Sequence, residues 1–205
     1  MSSKKYVRTI TFVSRNKDNK DLIKANKGYK QRSKEFVIET DNTSISDPRT
    51  YLMNHGKEPG KDILKHFFNF VHEGIPEEVC RIYWGINVSE KEAVISQLQH
   101  YLIDHNDVNL SNMNSLICRL AEKNNPKATH HWLFDIDTAG ERKVKEIFRQ
   151  ISKESSAKIY KTRSGYAIVS DHGFDTRELL EKFPEATLKK NSPLMVFWSS
   201  KDIED

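Results

Sequence analysis

From residue 79 onward the segments alternate as strand, helix, helix, strand, helix, hairpin, helix, hairpin, and this order predicts an α+β fold. Two observations narrow it. The portion from 130 to 170 reads β-α-β-β, the core of an RRM-like or ferredoxin-like unit, so one antiparallel sheet with helices packed on one face is expected. The chain has 205 residues, 37% hydrophobic and 30% charged, with three Trp, seven Tyr and ten Phe. That suits one domain with a modest extension and an aromatic-rich core.

The elements follow in order. Residues 6–13 are rich in β-branched and aromatic types and read as a strand. A polar loop follows, then a second strand over 34–40 with Phe36, Val37 and Ile38. Residues 41–60 hold Asp-Pro, His-Gly and Pro-Gly turn chemistry, with a short helix possible near 47–54. Ile63, Leu64, Phe67, Phe68 and Val71 keep helical spacing, and Gly74 closes that helix. Residues 79–88 form a strand. Ser89 and Glu92 read as a capping box for a helix running to about Asp104. A shorter helix fits 113–123, and Pro126 breaks it.

Next comes His131-Trp132-Leu133-Phe134-Asp135-Ile136-Asp137-Thr138. In a strand, side chains alternate faces, so Asp135 and Asp137 share one face roughly 6–7 Å apart. Two carboxylates so placed suit a divalent cation. Two ordinary acids at a solvent-facing strand end is the alternative. Thr138 and Glu141 form a second capping box, for a helix over 139–153. Strands at 157–162 and 166–170 are joined by the tight turn Arg163-Ser164-Gly165. Asp175 and Glu178 form a third box, with Phe174 placed to staple onto Leu179. Segments 187–190 and 194–199 read as a last hairpin around Asn191-Ser192-Pro193.

Charge is mild overall, at +4, and does not by itself imply nucleic acid. Its distribution is uneven. Residues 1–34 carry eleven Lys and Arg against Asp18 and Asp21. Such a segment meets phosphates or forms a solvated arm. The division expected is a basic extension or lobe over 1–78 and an α+β domain of catalytic type over 79–205. No run approaches the ~18 apolar residues of a membrane span, and the start lacks a secretory core, so no membrane partner is expected. Cys80 and Cys118 sit in apolar contexts without metal spacing and read as buried thiols of a cytoplasmic chain. No Ser-His-Asp spacing, Walker loop or Rossmann glycine pattern is present. His130 and His131 read as a polar strand entry rather than as ligands.

The hairpin Lys158–Ala167 is dense in groups that suit phosphates: charge from Lys161 and Arg163, a hydroxyl from Ser164, and N–H donors from the glycine turn. A solvated basic edge is the alternative. The acid pair at a strand end, a helix, then Thr162-Arg163-Ser164-Gly165-Tyr166 resemble the archaeo-eukaryotic primase superfamily, in particular small phage-encoded members. His172-Gly173-Phe174-Asp175, Leu188-Lys189-Lys190 and the upstream Ile82–Asn87 strand fit the same order, over roughly 80–200.

The resemblance implies a primase-like nucleotidyltransferase on an RRM-like sheet. Asp135 and Asp137 would bind Mg²⁺ or Mn²⁺ and act as the catalytic acids. Lys161, Arg163 and Ser164 would sit beside a nucleotide triphosphate, with single-stranded nucleic acid as the other partner. It also implies the cytoplasm of a host cell. The family usually has a histidine on the phosphates where this chain has Ala167, and His172 is the nearest candidate to replace it. Three readings therefore stand: an active nucleotidyltransferase; a degenerate primase-fold protein that binds nucleotide or nucleic acid, as a phage accessory or anti-host-defence factor; or a small interaction protein whose acids and basic arm are surface decoration.

Overall fold

A computed structural model describes residues 4–41, 43, 48, 51–52, 63–123, 126–137 and 140–200. Strands β1 (Tyr6–Ser14), β2 (Arg32–Thr40), β3 (Val79–Trp84), β4 (Ser89–Glu90), β5 (Trp132–Ile136), β6 (Ala157–Lys161), β7 (Tyr166–Ser170), β8 (Ala186–Lys190) and β9 (Leu194–Ser200) are described. So are helices α1 (Lys20–Ala25), α2 (Ile63–His72), α3 (Lys91–Asp104), α4 (Met113–Ala121), α5 (Glu141–Glu154) and α6 (Arg177–Lys182). The fold is α+β, as the element order predicts.

The strands form two sheets rather than one. The first runs β2-β1-β3-β9, with β4 also on β1; the second runs β6-β7-β5-β8. The second sheet with α5 and α6 is a complete β-α-β-β-α-β unit, and every pairing in it is antiparallel. Phe134, Ile136 and Ile168 bury against Val144, Ile147 and Ile151 of α5 and Leu179 of α6, so both helices cover one face. The burial follows from α5's apolar residues at i, i+3 and i+7.

The expected last hairpin does not form. Its two strands exist, but β8 pairs with β5 and β9 pairs with β3. Asn191 adopts a left-handed φ of 59° and Pro193 follows, which turns the chain away. Buried Leu194, Met195 and Val196 then pack into the first sheet. The chain before residue 79 shares that sheet, because β1 lies between β2 and β3. Phe12, Ile82, Phe67 and Phe70 make its core, and Leu133, Ala167 and Val169 of the second sheet join the same cluster. The two sheets thus meet face to face.

Two capping expectations change. Ser89 does not cap α3: its hydroxyl donates to the Ala121 carbonyl at 2.5 Å, and Glu90 takes the cap position. Burial leaves Ser89 facing α4 instead of its own helix. Thr138 and the helix expected over 47–54 lie outside the described residues, apart from scattered positions, and α5 begins after Gly140. The expected box at 175–178 does not form: Thr176 takes the cap position without a side-chain cap bond, and Asp175 accepts from the Arg177 amide at 3.1 Å.

Asn87 ties the sheets together. Its amide donates to the His131 carbonyl at 3.2 Å and to Asn191 Oδ1 at 3.0 Å, and its Oδ1 accepts the His131 amide at 2.6 Å. The His131 ring is buried, with Nδ1 3.8 Å from Asp171. Burial lowers its pKa below the ordinary 6.5, although the Thr43 carbonyl and Asp171 oppose the shift. The unfolded chain therefore binds the proton more readily than the folded one. The neutral ring's contribution is complete above about pH 6.5 and is lost as pH falls through the folded value. Thermal melts between pH 7.5 and 5 are expected to show a falling midpoint that is flatter in His131→Gln; equal slopes would sink this assignment.

Candidate functional site

The strand alternation of β5 builds the site. Phe134 and Ile136 point at the helices, so Leu133, Asp135 and Asp137 point the other way, toward the first sheet. Asp135 pairs in register with Ala167 of β7 and Thr187 of β8. A cleft of about 660 Å³ opens on this face, lined by Asp135, Asp137, Thr162, Ser164, Ala167 and Lys189 from the second sheet and its turns. That volume suits a nucleotide-sized ligand.

The opposing wall comes from the other sheet. Arg15, Lys17, Asp18 and Lys20 line the cleft from the loop after β1 and the start of α1, and Arg81 and Tyr83 line it from β3. β3 alternates buried Cys80, Ile82 and Trp84 on the core face with Arg81 and Tyr83 on the cleft face. The Tyr83 hydroxyl accepts from Arg15 at 2.6 Å and from Arg81 at 3.4 Å. Partial burial works against the Arg15 charge. The Tyr83 bond and the fields of Asp18 and Asp135 more than offset it, leaving the guanidinium above its ordinary range.

Of the residues expected at the site, Asp135, Asp137 and Ser164 come together. The Ser164 hydroxyl donates to Asp137 Oδ1 at 3.2 Å, and Lys189 forms an ion pair with Asp135. Arg163 stands at the rim, where it lies 3.7 Å from Asp18. Lys161 and His172 lie elsewhere. Lys161 is two residues from Ile159, which packs on the helix side, and its charge acts on Glu141 of α5. His172 follows the Ser170 end of β7, which pairs with Trp132, so it sits beyond the opposite end of β5. Its amide donates to Ser155 Oγ at 3.2 Å. Ala167 is buried on the cleft floor beside Asp135. A small residue there leaves room but offers no donor.

Arg15, Lys17, Lys20, Arg81, Tyr83 and Lys189 were not singled out as site residues from sequence. Two signals in the sequence bear on the first five, the basic density of residues 1–34 and a strand with Arg81 and Tyr83 on one face, and none singles out Lys189.

Among the described residues, no group of three or more His, Cys, Asp or Glu side chains could hold a metal ion. The acid pair therefore offers no closed all-protein cage. Two carboxylates at the mouth of a basic cleft fit a hard ion that keeps its waters and arrives with phosphates. No helix among the described residues is long and apolar enough to cross a membrane. No family model, curated protein or solved structure matches the chain.

Proposed function

We propose that the cleft is a primase-like nucleotidyl-transfer site that takes a nucleotide triphosphate with Mg²⁺ or Mn²⁺ and acts on single-stranded nucleic acid. One observation carries this reading: two strand-end carboxylates and five cations, Arg15, Lys17, Lys20 and Arg81 on the opposing wall and Lys189 on β8, line the same 660 Å³ cleft. Asp135 and Asp137 would hold the ion, which supplies charge neutralisation between phosphate oxygens. Ser164 fixes the orientation of Asp137. Arg15 and Lys20 hold phosphate oxygens by charge and position them, which is most of what phosphoryl transfer asks of a protein. The working place is the cytoplasm, a host's if the chain is phage-encoded.

A second reading, nucleotide or nucleic-acid binding without transfer, has its own support. Lys189 engages Asp135, and Ala167 provides no phosphate donor on the floor. In that case the chain sequesters its ligand, as a phage accessory or anti-host-defence factor does.

A primer-extension assay separates the two. Single-stranded template, labelled nucleotides and Mn²⁺ are expected to yield extended product that disappears in chelator. Retained nucleotide binding with no product in either metal would overturn transfer and leave the second reading.

A further inference from the structure

Asp18 is out of place in the basic wall. Its carboxylate is 7% exposed and forms an ion pair with Arg81, whose side chain is 10% exposed. The same oxygen lies 3.7 Å from Arg163, on the β6–β7 turn of the other sheet. Arg15 joins the cluster through Tyr83, whose hydroxyl accepts from both Arg15 and Arg81. Two guanidiniums thus reach one carboxylate from opposite walls of the cleft, and Tyr83 holds a third, that of Arg15, beside them. Two polar atoms in it are buried without a hydrogen-bond partner among the described residues: Asp18 Oδ2 and Arg81 Nε. A cluster with surplus positive charge, an unmet donor and an open side is arranged for a further anion.

We propose that Arg15, Arg81 and Arg163 form a phosphate subsite whose resident occupant is the Asp18 carboxylate, so that an entering polyphosphate competes with Asp18 for the same guanidiniums. The charge balance favours a polyphosphate chain over a nucleic-acid backbone. The cluster's surplus matches a multiply charged terminal phosphate, whereas each diester brings a single charge. Asp18 also bridges the two walls, through β3 on one side and the turn carrying Ser164 on the other. Displacing it frees the turn that orients Asp137. This inference rests on the reading of the cleft as a phosphate site, but it needs neither the metal ion nor the acid pair.

The test is calorimetric titration with inorganic tripolyphosphate in metal-free buffer, on the full chain. Asp18→Asn keeps the shape and removes the competing charge. It is expected to bind tripolyphosphate about tenfold more tightly than wild type, the effect of lifting one like charge from the site. Thermal melts give a second readout. Asp18→Asn leaves Arg81 buried without its anion and melts lower, and tripolyphosphate is expected to raise its midpoint more than that of wild type. Equal or weaker binding, and an equal or smaller rise, would overturn the proposal by making Asp18 a structural ion pair. If Asp18→Asn fails to fold, Arg163→Gln on the exposed turn decides: weaker tripolyphosphate binding supports the subsite and unchanged binding overturns it. A gain seen with a thymidine oligonucleotide but not with tripolyphosphate also overturns it, since the subsite would then take diesters. Mn²⁺ binding through Asp135 and Asp137 without the Asp18→Asn gain defeats this inference alone. The gain without Mn²⁺ binding defeats the metal reading alone.

Discussion

Replacing Asp135 and Asp137 together by asparagine is expected to abolish Mn²⁺ binding at the cleft while leaving the chain folded. Both effects follow from position. The acids project from the end of β5 on the face away from α5 and α6, so neither contributes to the cluster of Phe134, Ile136 and Ile168 that holds the second sheet. Asp135 keeps one ion pair, with Lys189, and the two side chains are 22% and 43% exposed. Solvent screens such a pair, so losing it costs about 1 kcal/mol or less. Asparagine preserves the shape of both side chains and removes two negative charges. Asp18 on the facing wall stays committed to Arg81 and Arg163 and does not replace them. The ion affinity is therefore expected to fall well beyond the ~10–100-fold that loss of an outer partner costs. Calorimetric titration with Mn²⁺ checks the first half and thermal melting the second. A binding heat equal to wild type would sink the metal assignment. A collapsed melt would show that the acids serve the fold.

Sequence made the second sheet legible and left the first one obscure, for a physical reason. The stretch from Trp132 to Ser170 carries its own punctuation: an apolar strand, a helix with a clean 3.6-residue stripe, and a turn at Gly165. Each signal is local, and local pairings within β-α-β-β follow from it. The partner of β9 is set by something no window contains. Leu194, Met195 and Val196 read as a hairpin return beside β8, yet they pack on β3, more than a hundred residues upstream. The site divides the same way. Asp135 and Asp137 declare themselves by spacing within one strand. The cations opposite them come from the loop after β1 and from β3, and only the meeting of two sheets brings them to the acids. His172 shows the converse error. It is five residues from Ala167 in the chain, but β7 runs away from the acids over that distance, so proximity in sequence became separation in space.

The turn between β6 and β7 gives the other large effect: Gly165→Ala is expected to destabilise the chain and to impair the site together. A Cβ built at Gly165 would lie 2.2 Å from the Ile136 carbonyl oxygen and 2.9 Å from the Asp137 Cα. Both are backbone atoms at the end of β5, flanked by paired strands on each side, and neither has a flexible side chain's freedom to yield. The turn itself must move. Its closing bonds, Thr162 N–H to the Gly165 carbonyl at 2.9 Å and Gly165 N–H to Thr162 Oγ1 at 3.1 Å, then lengthen or break. The cost expected from such overpacking is about 1–3 kcal/mol, read as a lowered midpoint in denaturant melts. The functional consequence follows from the same contact. The turn carries Ser164, which holds Asp137, and Arg163, which reaches Asp18, so shifting it disturbs both walls of the cleft at once. Ser164→Ala is the comparison that isolates the backbone term. It removes one solvent-accessible hydrogen bond, worth about 0.5–1.5 kcal/mol at most, and leaves the turn seated. Nucleotide binding in Mn²⁺ is therefore expected to weaken more in Gly165→Ala than in Ser164→Ala. If the two variants weaken it equally, the hydroxyl alone positions Asp137. If Gly165→Ala melts and binds as wild type does, the turn does not rest on the end of β5.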